Sequence, residues 1–129
     1  MTTIDIAARN KALVADFYAK VWNGHDIAAL PDFVAEGYIQ HNPNVGNGRA
    51  PLQAFLGTMF ESLPEARFTL VRLIAEGDLV VAHTLFQANP ADRGMAVVDI
   101  YRVEDGRLAE HWDVKEAVPE VSANGNPMV

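Results

Sequence analysis

The 129-residue chain contains no cysteine. Disulfides, thiolate nucleophiles and cysteine-ligated zinc are therefore excluded. A chain without disulfides suits the cytoplasm, and that compartment is expected. Cationic residues are scarce as well. Ten Lys and Arg stand against seventeen Asp and Glu, a formal charge of −7. Such a chain repels phosphate backbones, and no Lys/Arg cluster offsets the excess, so no nucleic-acid partner is expected. No apolar run approaches the roughly 20 residues a membrane span needs. Residues 1–25 lack the basic start and apolar stretch of a signal peptide. A soluble protein with no membrane partner is expected. No internal repeat or low-complexity segment is visible.

What is present is ordinary globular material: half of the residues are hydrophobic and 21% are charged. One domain over residues 1–129 is expected, with an ordered core of about 4–117 and a loosely held tail over 118–129. Such a domain buries roughly two thirds of the surface its unfolded chain exposes, enough for one core and one pocket.

Val14, Phe17, Tyr18, Val21 and Trp22 fall at helical spacing and predict a helix over 4–22. Thr2 or Thr3 can cap it, and Asn23-Gly24 is expected to supply the left-handed residue that ends it. A short helix is predicted over 26–35, with Pro31 opening its second half. Tyr38 to Asn44 reads as a short strand running into a turn-rich loop. A third helix carries Pro51 in its first turn, then Leu52, Phe55, Leu56, Met59, Phe60 and Leu63, and stops at Pro64. From Arg67 the period changes to two. Strands are predicted over 67–75, 78–88, 95–103 and 107–117, with hairpin turns at Glu76-Gly77 and Asp105-Gly106. Helices first and a meander of strands afterwards make an α+β fold, an antiparallel sheet with helices on one face.

The last hairpin, DIYRVEDGRLAEHWDV (99–114), carries Asp99, His111 and Asp113 among apolar residues. A two-residue loop at Asp105-Gly106 sets Asp99 opposite Trp112. A three-residue loop from Glu104 pairs Val103 with Arg107, Asp99 with His111 and Val97 with Asp113. Sequence alone excludes neither. The three-residue loop is preferred because it separates polarity. It gathers Asp99, His111 and Asp113 on one face with Val97, Tyr101 and Val103, the mixture a pocket wall shows. The other face then holds Val98, Ile100, Leu108, Trp112 and Val114. In the same way a three-residue loop ending at Gly77 pairs Ile74 with Asp78. It puts His83 on a face with Thr69, Val71, Val81 and Leu85, and His83 joins the cluster if both hairpins turn these faces to one side.

Three stretches, YIQHNP (38–43), VDIYR (98–102) and GRLAEHWDV (106–114), resemble SnoaL-like proteins of the nuclear transport factor 2-like superfamily. The resemblance implies a cone-shaped barrel of three N-terminal helices packed on a curved, mainly antiparallel sheet. The SnoaL-like family includes polyketide cyclases that close rings by intramolecular aldol condensation without a cofactor. They use an aspartate of the last strand as acid and base, a role that falls on Asp113 here. A polar position on the preceding strand matches Asp99, where a carboxylate is a departure from the imidazole expected in the cyclases.

The candidate catalytic residues are Asp113, Asp99, His41 and His111. Shielding from water makes a carboxylate a better base, and two close carboxylates can divide the work of acid and base. His41 is expected at the cavity mouth, where it would polarise a carbonyl or shuttle a proton. His83, Tyr38, Tyr101, Phe17, Phe55 and Met59 are expected to line the pocket. The bland readings are separately solvated carboxylates, a loop-fixing His41 and a core His83. No HxH or HxxxH spacing supports a metal site, and the resemblance to the cyclases implies no cofactor. The expected function is cofactor-independent acid–base chemistry, an aldol condensation, cyclisation or isomerisation of a small apolar carbonyl compound. The alternatives are a ligand-binding protein without turnover and a metal-assisted hydrolase. The apolar outer face with Ile100 and Trp112 predicts a homodimer.

Overall fold

The computed structural model describes residues 5–129. The Thr2 and Thr3 caps lie outside the described residues. Asp5 caps α1 (Ile6–Phe17), its side chain accepting from the Ala8 N–H at 3.2 Å. The helix then continues through Tyr18–Asn23 as a π-helical turn, a widened ladder often found beside functional sites. Gly24 stays right-handed, and the left-handed residue is His25 at φ 55°. Its ring stacks on Phe60 at 4.1 Å, which holds the reversal in place of the glycine. Asn23 instead ties the helix end to the sheet. Its side chain bonds the N–H and the C=O of Phe68 at 2.7 and 2.9 Å.

The second helical segment is shorter than predicted. A 3-10 turn (Ile27–Ala29) leads into the single turn α2 (Leu30–Phe33), with Pro31 in that turn. Val34, β-branched and fully buried, is already extended, so β1 (Val34–Gln40) starts upstream of Tyr38. Helix α3 (Arg49–Ser62) ends before Pro64, as the spacing predicts. Four strands follow: β2 (Arg67–Glu76), β3 (Leu79–Gln87), β4 (Met95–Glu104) and β5 (Arg107–Ala117). The sheet order is β1-β5-β4-β3-β2, with β1 parallel to β5 and the other pairs antiparallel. The sheet is curved and unclosed, and the helices fill its concave side, where Val14, Phe17, Leu56, Val80, Tyr101 and Leu108 form the core. No described helix is long and apolar enough to cross a membrane.

Both hairpins depart from the predicted loops. Glu104 pairs with Arg107, and Glu76 with Leu79, so each loop has two residues. Asp105 and Gly106 both have positive φ, 51° and 74°, the pattern of a type I′ turn, whose twist matches that of the strands. The lost residue returns as a bulge. Arg102 faces Glu110 while Val103 faces Leu108, leaving Ala109 unpaired. The bulge restores the parity that the shorter loop would have inverted. Asp99 thus lies opposite Asp113, not His111, and Leu108 is buried inside against Val103, not on the outer face. A second bulge falls at Val71, between Leu70 and Arg72.

Candidate active site

The inner positions of β4 and β5 alternate as the pleat requires: Val97, Asp99 and Tyr101 on one strand, His111 and Asp113 on the other. Strand β1 runs beside β5 with Gln40 in register with His111. Tyr38 and Gln40 therefore share the inner face, and Asn42 continues it past the strand end. These residues occupy one wall of a cavity of about 190 Å³. Phe17, Trp22, Phe55, Met59, Phe68 and Phe86 make the apolar walls. An apolar cavity of about 150 Å³ holds benzene, so the enclosed space accommodates roughly one ring.

Asp99 is 5% exposed, and both of its oxygens are engaged. Tyr18 donates its hydroxyl to Oδ2. Oδ1 lies 2.8 Å from His111 Nε2. Since Tyr18 donates to Asp99, its oxygen accepts from the Tyr101 hydroxyl at 2.9 Å. On the far side of the imidazole, His111 Nδ1 lies 2.7 Å from Gln40 Oε1. The same oxygen accepts the Asn42 backbone N–H at 3.1 Å. A backbone N–H can only donate, so that end of the amide is oxygen and Nδ1 must donate to it. One continuous chain therefore links Tyr101, Tyr18, Asp99, His111 and Gln40.

Asp113 is held differently. Asn42 Oδ1 accepts the Asn44 N–H at 2.9 Å, which turns Nδ2 towards Asp113. That nitrogen lies 2.9 and 3.1 Å from the two carboxylate oxygens. Asp113 is half-buried, lines the cavity, and places Oδ2 3.9 Å from His111 Nε2.

A family profile described as a SnoaL-like domain matches residues 14–111. The chain belongs to the SnoaL-like family. No curated protein matches it. Among solved structures, it is similar to TsrD from Streptomyces laurentii, with 28% identity over 88% of this chain and 92% of that one, at a TM-score of 0.70. A candidate polyketide cyclase from Acidithiobacillus ferrooxidans gives 23%, the same coverages and 0.72. IdmH, a candidate polyketide cyclase from Streptomyces antibioticus, gives 20% over 83% and 91% of the two chains and 0.71. At these identities the last two establish the fold.

In this SnoaL-like domain Asp99, His111, Asp113, Tyr38, Tyr101, Phe17, Phe55 and Met59 all line the cavity. His41 and His83 do not. His41 points to the outer face of the sheet. It stacks on Trp112 at 4.8 Å and lies 2.7 Å from Glu110, whose carboxyl is held below its ordinary range by the His41 and Arg102 bonds. The cause is strand parity: His41 sits between Gln40 and Asn42, the two residues that face inward. His83 lies opposite Val98 on the same outer face and accepts from Arg72, while its neighbours Ala82 and Thr84 fill the core.

Gln40 and Asn42 escaped the sequence reading as site residues, as did the hydroxyl contact of Tyr18 with Asp99. Alternation from Tyr38 would have found Gln40 and Asn42, since every second residue of YIQHN shares a face. Tyr18 was legible only as part of the helix stripe.

Burial raises the hydroxyl pKa of Tyr18, Tyr38 and Tyr101 well above that of a free phenol, and the Asp99 charge adds to it in all three. The phenols stay protonated and act as donors. Asp99, His111 and Asp113 also offer ligand atoms within 4.8 Å of one another, the residues that would hold a metal ion. Both imidazole nitrogens are already hydrogen-bonded, so coordination through His111 would break the chain described above.

Proposed function

We propose that this SnoaL-like protein is an enzyme that performs cofactor-independent acid–base chemistry on a compact apolar carbonyl compound, as an aldol condensation, cyclisation or isomerisation. The observation that carries this reading is the inequality of the two facing carboxylates. Asp99 has both oxygens occupied and orients His111. Asp113 meets the cavity, with Asn42 fixing its direction. Asp113 is therefore the base. It takes the proton next to the carbonyl, the C–H pair enters the new C=C bond, and an enolate forms. The enolate carbon then attacks a second carbonyl within the same molecule or is reprotonated at another carbon. In either outcome Asp113 returns its proton. The volume of the cavity favours a substrate that inserts about one ring and leaves any larger part at the mouth. The cyclase names of two structural relatives support the same chemistry.

The test starts from a thermal-shift screen of small apolar carbonyl compounds, followed by assays of the binders for turnover. Asp113→Asn is expected to lower turnover by about 100-fold or more while affinity stays within severalfold. Binders that are never consumed, or an Asp113→Asn protein with undiminished turnover, refute the reading. The first of these results favours the binding protein. The Asp99–His111–Asp113 cluster is the observation behind the metal-assisted hydrolase, and a stoichiometric transition metal in the purified protein would favour it.

We also propose a homodimer through the outer face of the sheet. Ile39, Ile74, Leu79 and Val114 are exposed there, with Val114 at 69%. Light scattering that reports only monomer at high concentration refutes it.

A further inference from the structure

We propose that the Tyr38 hydroxyl is the hydrogen-bond donor that holds the carbonyl oxygen of the substrate as it becomes an enolate. The assignment rests on the acid–base reading of the site. An enolate forms readily only where a fixed donor meets its oxygen, so a base such as Asp113 needs a partner across the substrate.

The groups beside the two carboxylates are already committed. His41 is outside the cavity, against Trp112 and Glu110. Asp99 accepts from Tyr18 and faces His111, which is bonded on both nitrogens. Tyr101 donates to Tyr18. The Asn42 amide donates to the base itself.

Tyr38 is different. The residue is 2% exposed, yet its hydroxyl makes no hydrogen bond among the described residues. It is not sealed in by protein either. The only unpartnered polar side-chain atom closed off among the described residues is Trp22 Nε1, so the Tyr38 oxygen opens on the cavity that its side chain lines. A hydroxyl without a protein partner that opens on a mostly apolar cavity is placed to donate to a ligand oxygen there. Its ring is fixed against the reacting groups. It lies nearly parallel to the His111 imidazole, 17° between planes and 6.2 Å between centroids. Burial and the charges of Asp99 and Asp113 keep the phenol protonated, hence a donor at neutral pH.

The step balances. The Asp113 carboxylate accepts the proton, the C–H pair becomes the C=C bond, and the carbonyl π pair moves to oxygen. The Tyr38 O–H bond stays intact while its hydrogen bond to that oxygen strengthens.

Phenolates mimic an enolate, so the contact can be read without turnover. In an Asp113→Asn protein, whose amide imitates the protonated base, 4-nitrophenol bound as phenolate is compared with neutral 4-nitrotoluene. Adding Tyr38→Phe is expected to weaken phenolate binding about 10- to 100-fold, the range for a hydrogen bond to a charged group, and to leave 4-nitrotoluene within about twofold. Equal phenolate affinity with and without the hydroxyl overturns the proposal, as does an equal loss for both compounds, which would mark a packing role. If neither compound binds the Asp113→Asn protein, the cavity reading itself fails and the assignment falls with it. Should Tyr38→Phe fail to fold, Cζ-labelled tyrosine in the Asp113→Asn protein reads the same contact. The Tyr38 resonance should move with the phenolate and not with 4-nitrotoluene, and an unmoved resonance overturns the proposal.

Discussion

The protein has three tyrosines, and all three stand at the site with their hydroxyl pKa raised well above that of a free phenol. An alkaline titration therefore reads the site directly. In the unfolded chain each phenol loses its proton near pH 10, while the folded chain keeps all three. A group whose folded pKa is raised contributes stability in full below its unfolded pKa and loses it as pH climbs above that value. Linkage sets the slope at about 1.4 kcal/mol per phenol for each pH unit, or about 4 kcal/mol per unit for the three together. A domain stable by about 5–15 kcal/mol is then exhausted about one to four units above pH 10. Tyrosinate absorbance and far-ultraviolet circular dichroism should change together, in one cooperative step well above pH 10. Any single Tyr→Phe variant at the site should reduce the alkaline slope by about a third. Tyrosinate appearing with a midpoint near pH 10 while the dichroism stays native would show that the phenols are open to water. The burial of Tyr18, Tyr38 and Tyr101 would then be untenable.

Tyr18→Phe leaves Asp99 Oδ2 and the Tyr101 hydroxyl without their partner and should cost about 2–4 kcal/mol, read from the midpoint of urea unfolding. Asn42→Ala removes the Nδ2 donor that contacts both oxygens of Asp113 and should lower kcat/KM by about 10- to 100-fold in whatever reaction the screen reveals; an unchanged value would show that Asp113 needs no orienting. His41→Ala should leave kcat/KM within about twofold and cost about 0.5–1.5 kcal/mol of stability, because its side-chain contacts are the Trp112 stack and the Glu110 hydrogen bond. A large loss of turnover in that variant would return His41 to the site. His83→Ala should be silent in ligand binding, as measured by calorimetry, since Arg72 and the outer face are all it touches.

The helix stripe, the change of period at Arg67 and the four later strands were legible because burial imposes a period that the residues display. Leu52, Leu56 and Phe60 are buried as their spacing requires, and Val80 alternates with Ala82 and Thr84 along β3. Loop length was not legible. Glu104-Asp105-Gly106 suits a three-residue turn and Asp105-Gly106 suits a two-residue one, and the choice depends on a bulge at Ala109 that no local residue announces. Polarity nevertheless gave the right face for Asp99, His111 and Asp113. The wrong loop and the unseen bulge each shift parity by one, and the two shifts cancel. His41 and His83 failed for a different reason. Each was chosen for its chemistry, whereas their neighbours Gln40, Asn42, Ala82 and Thr84 set which side of the strand faces inward.

The pair Asp99 and Asp113 argues against a mere receptacle. Like charges set directly opposite in adjacent strands disfavour the sheet, and burial makes their desolvation worse. What offsets this comes from four separate parts of the chain: Tyr18 from the π-helical turn, Gln40 from β1, Asn42 from the loop beyond it and His111 from β5. A pocket meant only to hold an apolar ligand would be more stable with leucine or valine at both positions, as they stand at Leu108 and Val97 on the same inner surface. Binding of an apolar body gains nothing from a carboxylate pair. Proton transfer does, because one carboxylate can be tied down to orient an imidazole while the other is left facing the cavity. The fold thus carries an unfavourable contact where an acid–base reaction would use it, and the distant donors are arranged to make that contact tolerable while Asp113 still faces the cavity.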